Sequence, residues 1–124
     1  FIFLDTFMNK SGSGVVKVVK SKKAAEKLIV IYDDMDLPLG TLKISYDRSS
    51  GGHKGVESVI RALKTQKFIR IRIGIGKRGD AEKHILGQFK KSEMEILKKI
   101  FKRASEAVKV IVEEGLEKAM TRFN

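Results

Sequence analysis

The run Leu28–Tyr32, Leu-Ile-Val-Ile-Tyr, constrains this chain more than any other feature. Five consecutive apolar residues, most of them β-branched or aromatic, belong to a strand covered on both faces. Two-sided cover needs helices on each side of a sheet, so the class implied is α/β. Phe68–Gly76 is a second strand: Ile69, Ile71, Ile73 and Ile75 line one face, and Arg70, Arg72, Gly74 and Gly76 the other. Thr41–Tyr46 alternates too, with Leu42, Ile44 and Tyr46 opposite Lys43 and Ser45. Phe1–Leu4 reads as a strand end leading into the loop Asp5–Gly14, and Ser13 or Gly14 opens a helix over about Val15–Lys20. Lys22–Glu26 is a polar linker or a short helix. A further helix is expected over about Val56–Leu63. Lys77–Lys91 reads mostly as loop, with a helical turn near Ala81–Leu86. Ser92 with Glu95 three residues later has the form of a capping box. It opens a long helix to about Glu114, with Leu97, Ile100, Phe101, Ala104, Val108 and Ile111 turned to the core. Gly115 breaks that helix, and Leu116–Arg122 returns to it. These elements fit one domain over residues 1–124, a twisted mixed sheet flanked by helices, whose strand order spacing does not reveal.

The charge points to a partner. Lys and Arg number 26 against 15 acidic residues, a net +11 at pH 7. Such an excess favours a polyanion, because neutralising phosphates releases condensed counterions, and it equally suits a highly soluble surface. The chain has no cysteine and two histidines, so disulfides and thiolate metal sites are excluded. A zinc site would need carboxylates, and none is suitably clustered. No apolar run is long enough to cross a bilayer. A cytoplasmic protein without metal or cofactor is expected. The start at Phe1, directly on an apolar run, reads as a chain cut inside a larger fold.

Four segments carry candidate chemistry. Thr6–Gly12 lies at the C-terminal end of a strand, where open α/β sheets bind ligands. There the Asn9 amide can donate and accept, although Asn9 and Ser11 equally suit helix caps. Asp33, Asp34 and Asp36 follow the buried strand, and carboxylates so close repel one another unless cations or donors intervene. A carboxylate there can orient a histidine, hold a divalent metal or form a solvated acidic turn. In Ser49–Gly55, bare backbone amides run into a helix N-terminus, an arrangement suited to an anion or oxyanion, where His53 could act as a base but is read first as a structural hydrogen-bonder. Arg70 and Arg72, continued by Lys77 and Arg78, form a positive stripe suited to phosphate, or else to ion pairs with nearby acids.

In order, these segments resemble the bacterial-type peptidyl-tRNA hydrolase family. Its Thr-Phe-Met-Asn-x-Ser-Gly loop stands as Thr6–Gly12, and its Asp-Asp/Glu-x-Asp-Leu-Pro-x-Gly turn as Asp33–Gly40. Its Gly-Gly-His-Asn-Gly loop stands, with one change, as Gly51–Gly55, its Arg-x-Gly-x-Gly strand as Arg72–Gly76, and its ending as Gly115–Asn124. The resemblance implies a cytoplasmic, monomeric, metal-independent hydrolase of the ester between a peptide and the 3′-ribose of tRNA, recycling tRNA during translation. It implies that Asp33 orients a general-base histidine. Asn9 would contact the peptidyl end and hold the attacking water, with Phe7 and Met8 lining the same cleft. Gly52, His53 and position 54 would bind substrate. Arg72 would grip a tRNA phosphate, helped by Lys43.

Three departures stand out. The family's Gly-Leu-Gly-Asn-Pro-Gly run and its Thr-Arg-His-Asn stretch, which holds the base, do not occur in these 124 residues, and neither His53 nor His84 matches it. An N-terminally truncated domain, inactive by itself, is the expectation. Lys54 stands in place of the family asparagine and can only donate. Leu4 and Ser45 replace a frequent proline and lysine. The alternative is a non-catalytic RNA-binding relative of the hydrolases, comparable to organellar splicing factors that share the fold.

Overall fold

The computed structural model of the protein describes residues 2–4, 21–77 and 89–124. The expected loop over residues 5–14, the helix over 15–20 and the turn near 81–86 lie outside the described residues. So do Phe7, Met8 and Asn9 of the first candidate segment, and Arg78 and His84.

Among the described residues, four strands and four helices follow in the order β1 (Ile2–Leu4), α1 (Lys22–Ala25), β2 (Ile29–Asp34), β3 (Leu42–Tyr46), α2 (Lys54–Leu63), β4 (Ile69–Gly74), α3 (Lys91–Glu114) and α4 (Leu116–Phe123). The strands pair as β1-β2-β4-β3. β1 and β2 are parallel, with Ile2 level with Val30 and Leu4 with Tyr32. β2 and β4 are parallel as well: the Ile69 N–H donates to the Leu28 carbonyl and the Ile75 N–H to the Asp34 carbonyl, an advance of the same sense along both chains. β3 runs the other way, since its beginning at Thr41 meets the end of β4 at Gly74. The sheet is therefore mixed and the class α/β, as the buried run predicts.

By internal contacts the chain divides into two compact units, Phe1–Tyr32 with Ser45–Ile71, and Asp33–Ile44 with Arg72–Asn124. In the first, Val56 and Val59 of α2 recur at helical spacing with the partly buried Ile60 and Leu63, and they pack on Val30, Tyr32 and Phe68. Each such fully buried apolar side chain contributes roughly 1.5–3 kcal/mol. α2 starts two residues earlier than the periodicity predicts, at Lys54, because His53 supplies the cap.

In the second unit α3 is one unbroken helix of 24 residues, ended by Gly115. Its buried stripe is Leu97, Ile100, Ala104, Ala107, Val110 and Ile111, which corrects two of the expected positions. Phe101 lies one residue, about 100°, off the stripe and is 40% exposed, and Val108 is half-buried. The cap also differs from expectation. α3 begins at Lys91, where the Glu93 carboxylate accepts the Lys90 N–H at 2.9 Å, so Ser92 and Glu95 do not form the box. Lysine offers no acceptor, so only this returning half of a capping box exists. α4 folds back on α3, with the Arg103 guanidinium 4.9 Å above the Phe123 ring and Arg122 paired to Glu114 at 3.3 Å.

β3 is an edge strand, and its outer backbone is partly closed by one side chain. The Asn124 carboxamide accepts the Ile44 N–H at 2.7 Å and donates to the Ile44 carbonyl at 3.0 Å, copying what a neighbouring strand would offer. Asn124→Ala is expected to cost about 1–2 kcal/mol for the two bonds and to raise the exchange rate of the Ile44 amide. Proton-exchange NMR on the variant checks this. An unchanged Ile44 amide would show that the clamp does not hold in solution.

Candidate active site

β2 extends past the apolar run, so Asp33 and Asp34 are strand residues rather than turn residues. Successive strand side chains point to opposite faces, which separates their two carboxylates. Asp33 is buried, at 8% exposure. Asp34 is fully engaged. Its Oδ1 accepts the Asp36 N–H at 2.8 Å, an Asx turn, and its Oδ2 pairs with Arg72 Nη1 at 3.1 Å. Its carbonyl accepts from Leu37 at 3.4 Å and from Ile75 at 3.1 Å. The repulsion expected of three close aspartates is thus relieved by a guanidinium and a backbone donor.

The segment after Asp36 is stitched to the end of β4. Leu37 accepts the Gly76 N–H at 2.9 Å, Thr41 accepts the Gly74 N–H at 2.9 Å, and Thr41 Oγ1 donates to the Pro38 carbonyl at 2.6 Å. This approach is so close that position 74 must lack a side chain. A Cβ there would overlap the Pro38 carbonyl oxygen and come to 2.5 Å from Thr41 Oγ1. The glycine of the Arg72–Gly76 strand is therefore explained by packing of the aspartate turn, in the same unit as Asp33, Asp34, Lys43 and Arg72.

The glycine loop belongs to the other unit. Gly51 and Gly52 adopt φ of 59° and 87°, a region where side chains are strained. Ser50 Oγ accepts the Gly52 N–H at 3.2 Å. His53 is buried and caps α2: its Nδ1 accepts the Val56 N–H at 3.1 Å, and its ring lies 4.8 Å from that of Tyr32 at 59°. The imidazole thus serves as the cap of α2. Lys54, exposed at the first position of α2, places a cation at the positive end of a helix. That placement costs about 0.3–1 kcal/mol unless an anion approaches.

The expected phosphate stripe is corrected by burial. Arg70 is 0% and Arg72 9% exposed. Arg70 lies on the Phe68 ring at 4.1 Å, and its amino groups donate to the carbonyls of Ser49 at 3.0 Å, Gln66 at 3.0 Å and Arg48. Burial pushes its pKa down from the usual arginine value, against an opposing contribution from Tyr32. Arg72 takes the alternative foreseen for the stripe, an ion pair, with Asp34. Lys43 and Lys77 remain exposed. Neither Asp34 as the organiser of the turn nor Arg70 as the anchor of the loop is marked by local sequence, beyond the Asp-x-Asp spacing that an Asx turn shares. Among the described residues, no three His, Cys, Asp or Glu side chains converge as a metal site would require, and no helix is long and apolar enough to cross a membrane.

Comparison with known proteins now bears on the whole arrangement. The sequence model of the peptidyl-tRNA hydrolases matches residues 2–124. The chain belongs to the peptidyl-tRNA hydrolase family. It is 46% identical to a peptidyl-tRNA hydrolase of Koribacter versatilis (strain Ellin345), over 97% of this chain and 62% of that protein. It is 47% identical to one of Hydrogenobaculum sp. (strain Y04AAS1), over 96% and 65%. Among solved structures it is similar to the peptidyl-tRNA hydrolase of Acinetobacter baumannii, with a TM-score of 0.81 at 28% identity, over 96% of this chain and 62% of that one. A peptidyl-tRNA hydrolase crystallised with N-propanol gives a TM-score of 0.80 at 29% identity. The chain thus spans a little under two thirds of the length of these hydrolases.

Proposed function

We propose that this chain carries part of the site of an enzyme that hydrolyses the ester between a peptide's C-terminal carboxyl and the 3′-ribose of tRNA. The observation that carries the reading is Asp33: a buried carboxylate at the C-terminal end of a doubly buried strand, inside the family's aspartate turn. In that place a carboxylate orients a histidine and stabilises its charged form while the histidine takes a proton from water. The water oxygen bonds to the ester carbonyl carbon, the bond to the ribose oxygen breaks, and that oxygen leaves with a proton. Asn9 holds the water and the peptidyl end, Phe7 and Met8 line the cleft, and Gly52, His53 and Lys54 form the loop that meets substrate.

His53 is not assigned the base, because its ring caps α2, and His84 does not match the family's base-bearing stretch. The 124 residues assayed by themselves are therefore expected to turn over slowly or not at all, and residues 1–124 are taken as a region of one hydrolase domain. The phosphate grip that the resemblance gives to Arg72 is shared with Lys43, and the exposed Lys43 and Lys54 suit a chain of net +11. The partner is peptidyl-tRNA, met by a monomer in the cytoplasm without metal or cofactor.

Turnover of N-blocked aminoacyl-tRNA, measured on the full-length gene product beside the 124-residue chain, tests the reading. Release of the blocked amino acid by the full-length protein is expected, with tRNA affinity that falls steeply between low and moderate salt. Tight, salt-sensitive tRNA binding with no ester cleavage by the full-length protein would replace it with the RNA-binding alternative.

A further inference from the structure

We propose that the buried Arg70 is a positioning residue for substrate: it fixes the loop of residues 48–53, so that Gly52, His53 and Lys54 meet peptidyl-tRNA in one conformation set beforehand. The effect on substrate rests on the hydrolase reading, while the clamp itself is geometry within one compact unit. The Arg70 guanidinium is 0% exposed and lies 4.1 Å above the Phe68 ring. Its Nη1 donates to the Ser49 carbonyl at 3.0 Å, and its Nη2 to the carbonyls of Arg48 and of Gln66, the latter at 3.0 Å. Its Nε is buried and has no hydrogen-bond partner among the described residues, so the polar grip runs through the two amino groups. Two of the three carbonyls that they hold are consecutive and form the foot of the loop.

The far end of the loop is held on the same core. His53 accepts the Val56 N–H at 3.1 Å, and its ring lies 4.8 Å from that of Tyr32. Tyr32, Val56 and Phe68 belong to one buried cluster, so the ring beneath Arg70 and the ring beside His53 pack together. Tyr32 also bears on the guanidinium, favouring its charged form against the effect of burial. Between the two ends the backbone closes on Ser50, whose Oγ accepts the Gly52 N–H at 3.2 Å and whose carbonyl accepts the His53 N–H at 3.0 Å. Those two amides are spent inside the loop and are not the open donors that the glycine-rich sequence suggests.

The tip of the loop is what needs such fixing. Gly51 and Gly52 hold φ of 59° and 87°, yet a Cβ at either would meet nothing within 4 Å among the described residues. The backbone conformation itself, and no neighbouring atom, therefore calls for glycine. Glycine also has the most conformational freedom to lose, so a Gly-Gly tip keeps one shape only when both its ends are tied. Arg70 ties one end and the His53 cap the other. A loop already ordered spares the substrate the entropy of ordering it, which appears as affinity.

The test uses the full-length gene product with Arg70→Met, Arg70→Lys and, as a control for lost stability, Val59→Ala in the fully buried core beneath α2. It reads kcat and KM on N-blocked aminoacyl-tRNA well below the unfolding midpoints, and hydrogen exchange at the Gly52 and His53 amides. Both Arg70 variants should raise KM about tenfold with kcat within about threefold, since the loop binds substrate and does not carry Asp33. Lysine keeps the charge but lacks the planar fork that reaches consecutive carbonyls, so it should not rescue. Exchange at the two amides should quicken by about tenfold or more in both variants. Val59→Ala should lower the unfolding midpoint and leave KM and these amides within about twofold of the unaltered protein. In the unaltered protein, NMR should find the Arg70 Nη protons resolved and protected from exchange.

Three results would overturn the inference. A lowered midpoint in the Arg70 variants, with KM and both amides unchanged, would make Arg70 a stabilising contact only. An equal rise of KM in Val59→Ala would trace the effect to general loss of stability and not to the loop. Arg70 Nη protons that exchange freely would show that the clamp does not form, whether or not the variants fold. Should the unaltered protein show no turnover, the hydrolase reading falls, and exchange at Gly52 and His53 still decides whether Arg70 holds the loop.

Discussion

Asp33→Ala in the full-length gene product is expected to lower kcat on N-blocked aminoacyl-tRNA by about 10²–10⁴-fold, the range over which positioned acid–base groups contribute. Asp33 stands at 8% exposure at the end of β2, and Asp34, Leu37, Thr41 and Gly74 make backbone and side-chain bonds that hold the adjoining turn. Alanine should therefore remove the carboxylate and leave its frame standing. Asp33→Asn should fare little better, because an amide also donates and can favour the wrong imidazole tautomer. KM should change little, since the proposed reading gives contact with the tRNA body to exposed cations such as Lys43 and Lys54 and not to this carboxylate. Steady-state kinetics on both variants, with circular dichroism to confirm folding, checks the expectation. A folded Asp33→Ala protein with full kcat would remove Asp33 from the chemistry.

Arg70→Met should have the largest effect on stability, about 2–4 kcal/mol. The guanidinium is 0% exposed, lies on Phe68, and supplies donors to three carbonyls at Arg48, Ser49 and Gln66. Methionine fills much of the space but strands those carbonyls, and lysine keeps a charge without the planar fork that reaches all three. Domains of this size are stable by only about 5–15 kcal/mol, so the loss would be plain in a urea unfolding curve. Because Arg48 and Ser49 lead directly into the glycine loop, the same change should loosen the segment that holds Gly52, His53 and Lys54. A shift below about 0.5 kcal/mol, the size typical of surface changes, would mean that the guanidinium is dispensable.

Both residues show how far the sequence could be read. The run Leu28–Tyr32 was enough to demand a doubly covered strand and an α/β class, because continuous apolar β-branched sequence has no solvent face to offer. Helical spacing located α2 and α3, and Gly115 marked the break before α4. The arginine face of β4 misled, since charged side chains are rarely buried and nothing near Arg70 in sequence announces three carbonyls brought in from positions 48, 49 and 66. Phe101 misled for a different reason. Its size suggests core, yet Ala107 and Val110 follow the stripe more closely, and a large side chain one position off it stays half in water. The aspartate turn was legible as a motif but not as a mechanism. Alternation separates Asp33 from Asp34, and only the long-range pairing with Arg72 reveals which of the two holds the frame. The clamp of Asn124 on Ile44 has no sequence signature, because it joins residues 80 apart.

The central claim is that this site belongs to an enzyme that uses water to open one ester bond and leaves the RNA whole. A single turnover of N-blocked aminoacyl-tRNA by the full-length protein in water enriched in heavy oxygen tests it most directly. Ester hydrolysis predicts heavy oxygen in the carboxylate of the released blocked amino acid, with the tRNA recovered at full length and its 3′-ribose unlabelled. Unreacted ester at saturating protein, or tRNA shortened at its 3′ end, would contradict the account.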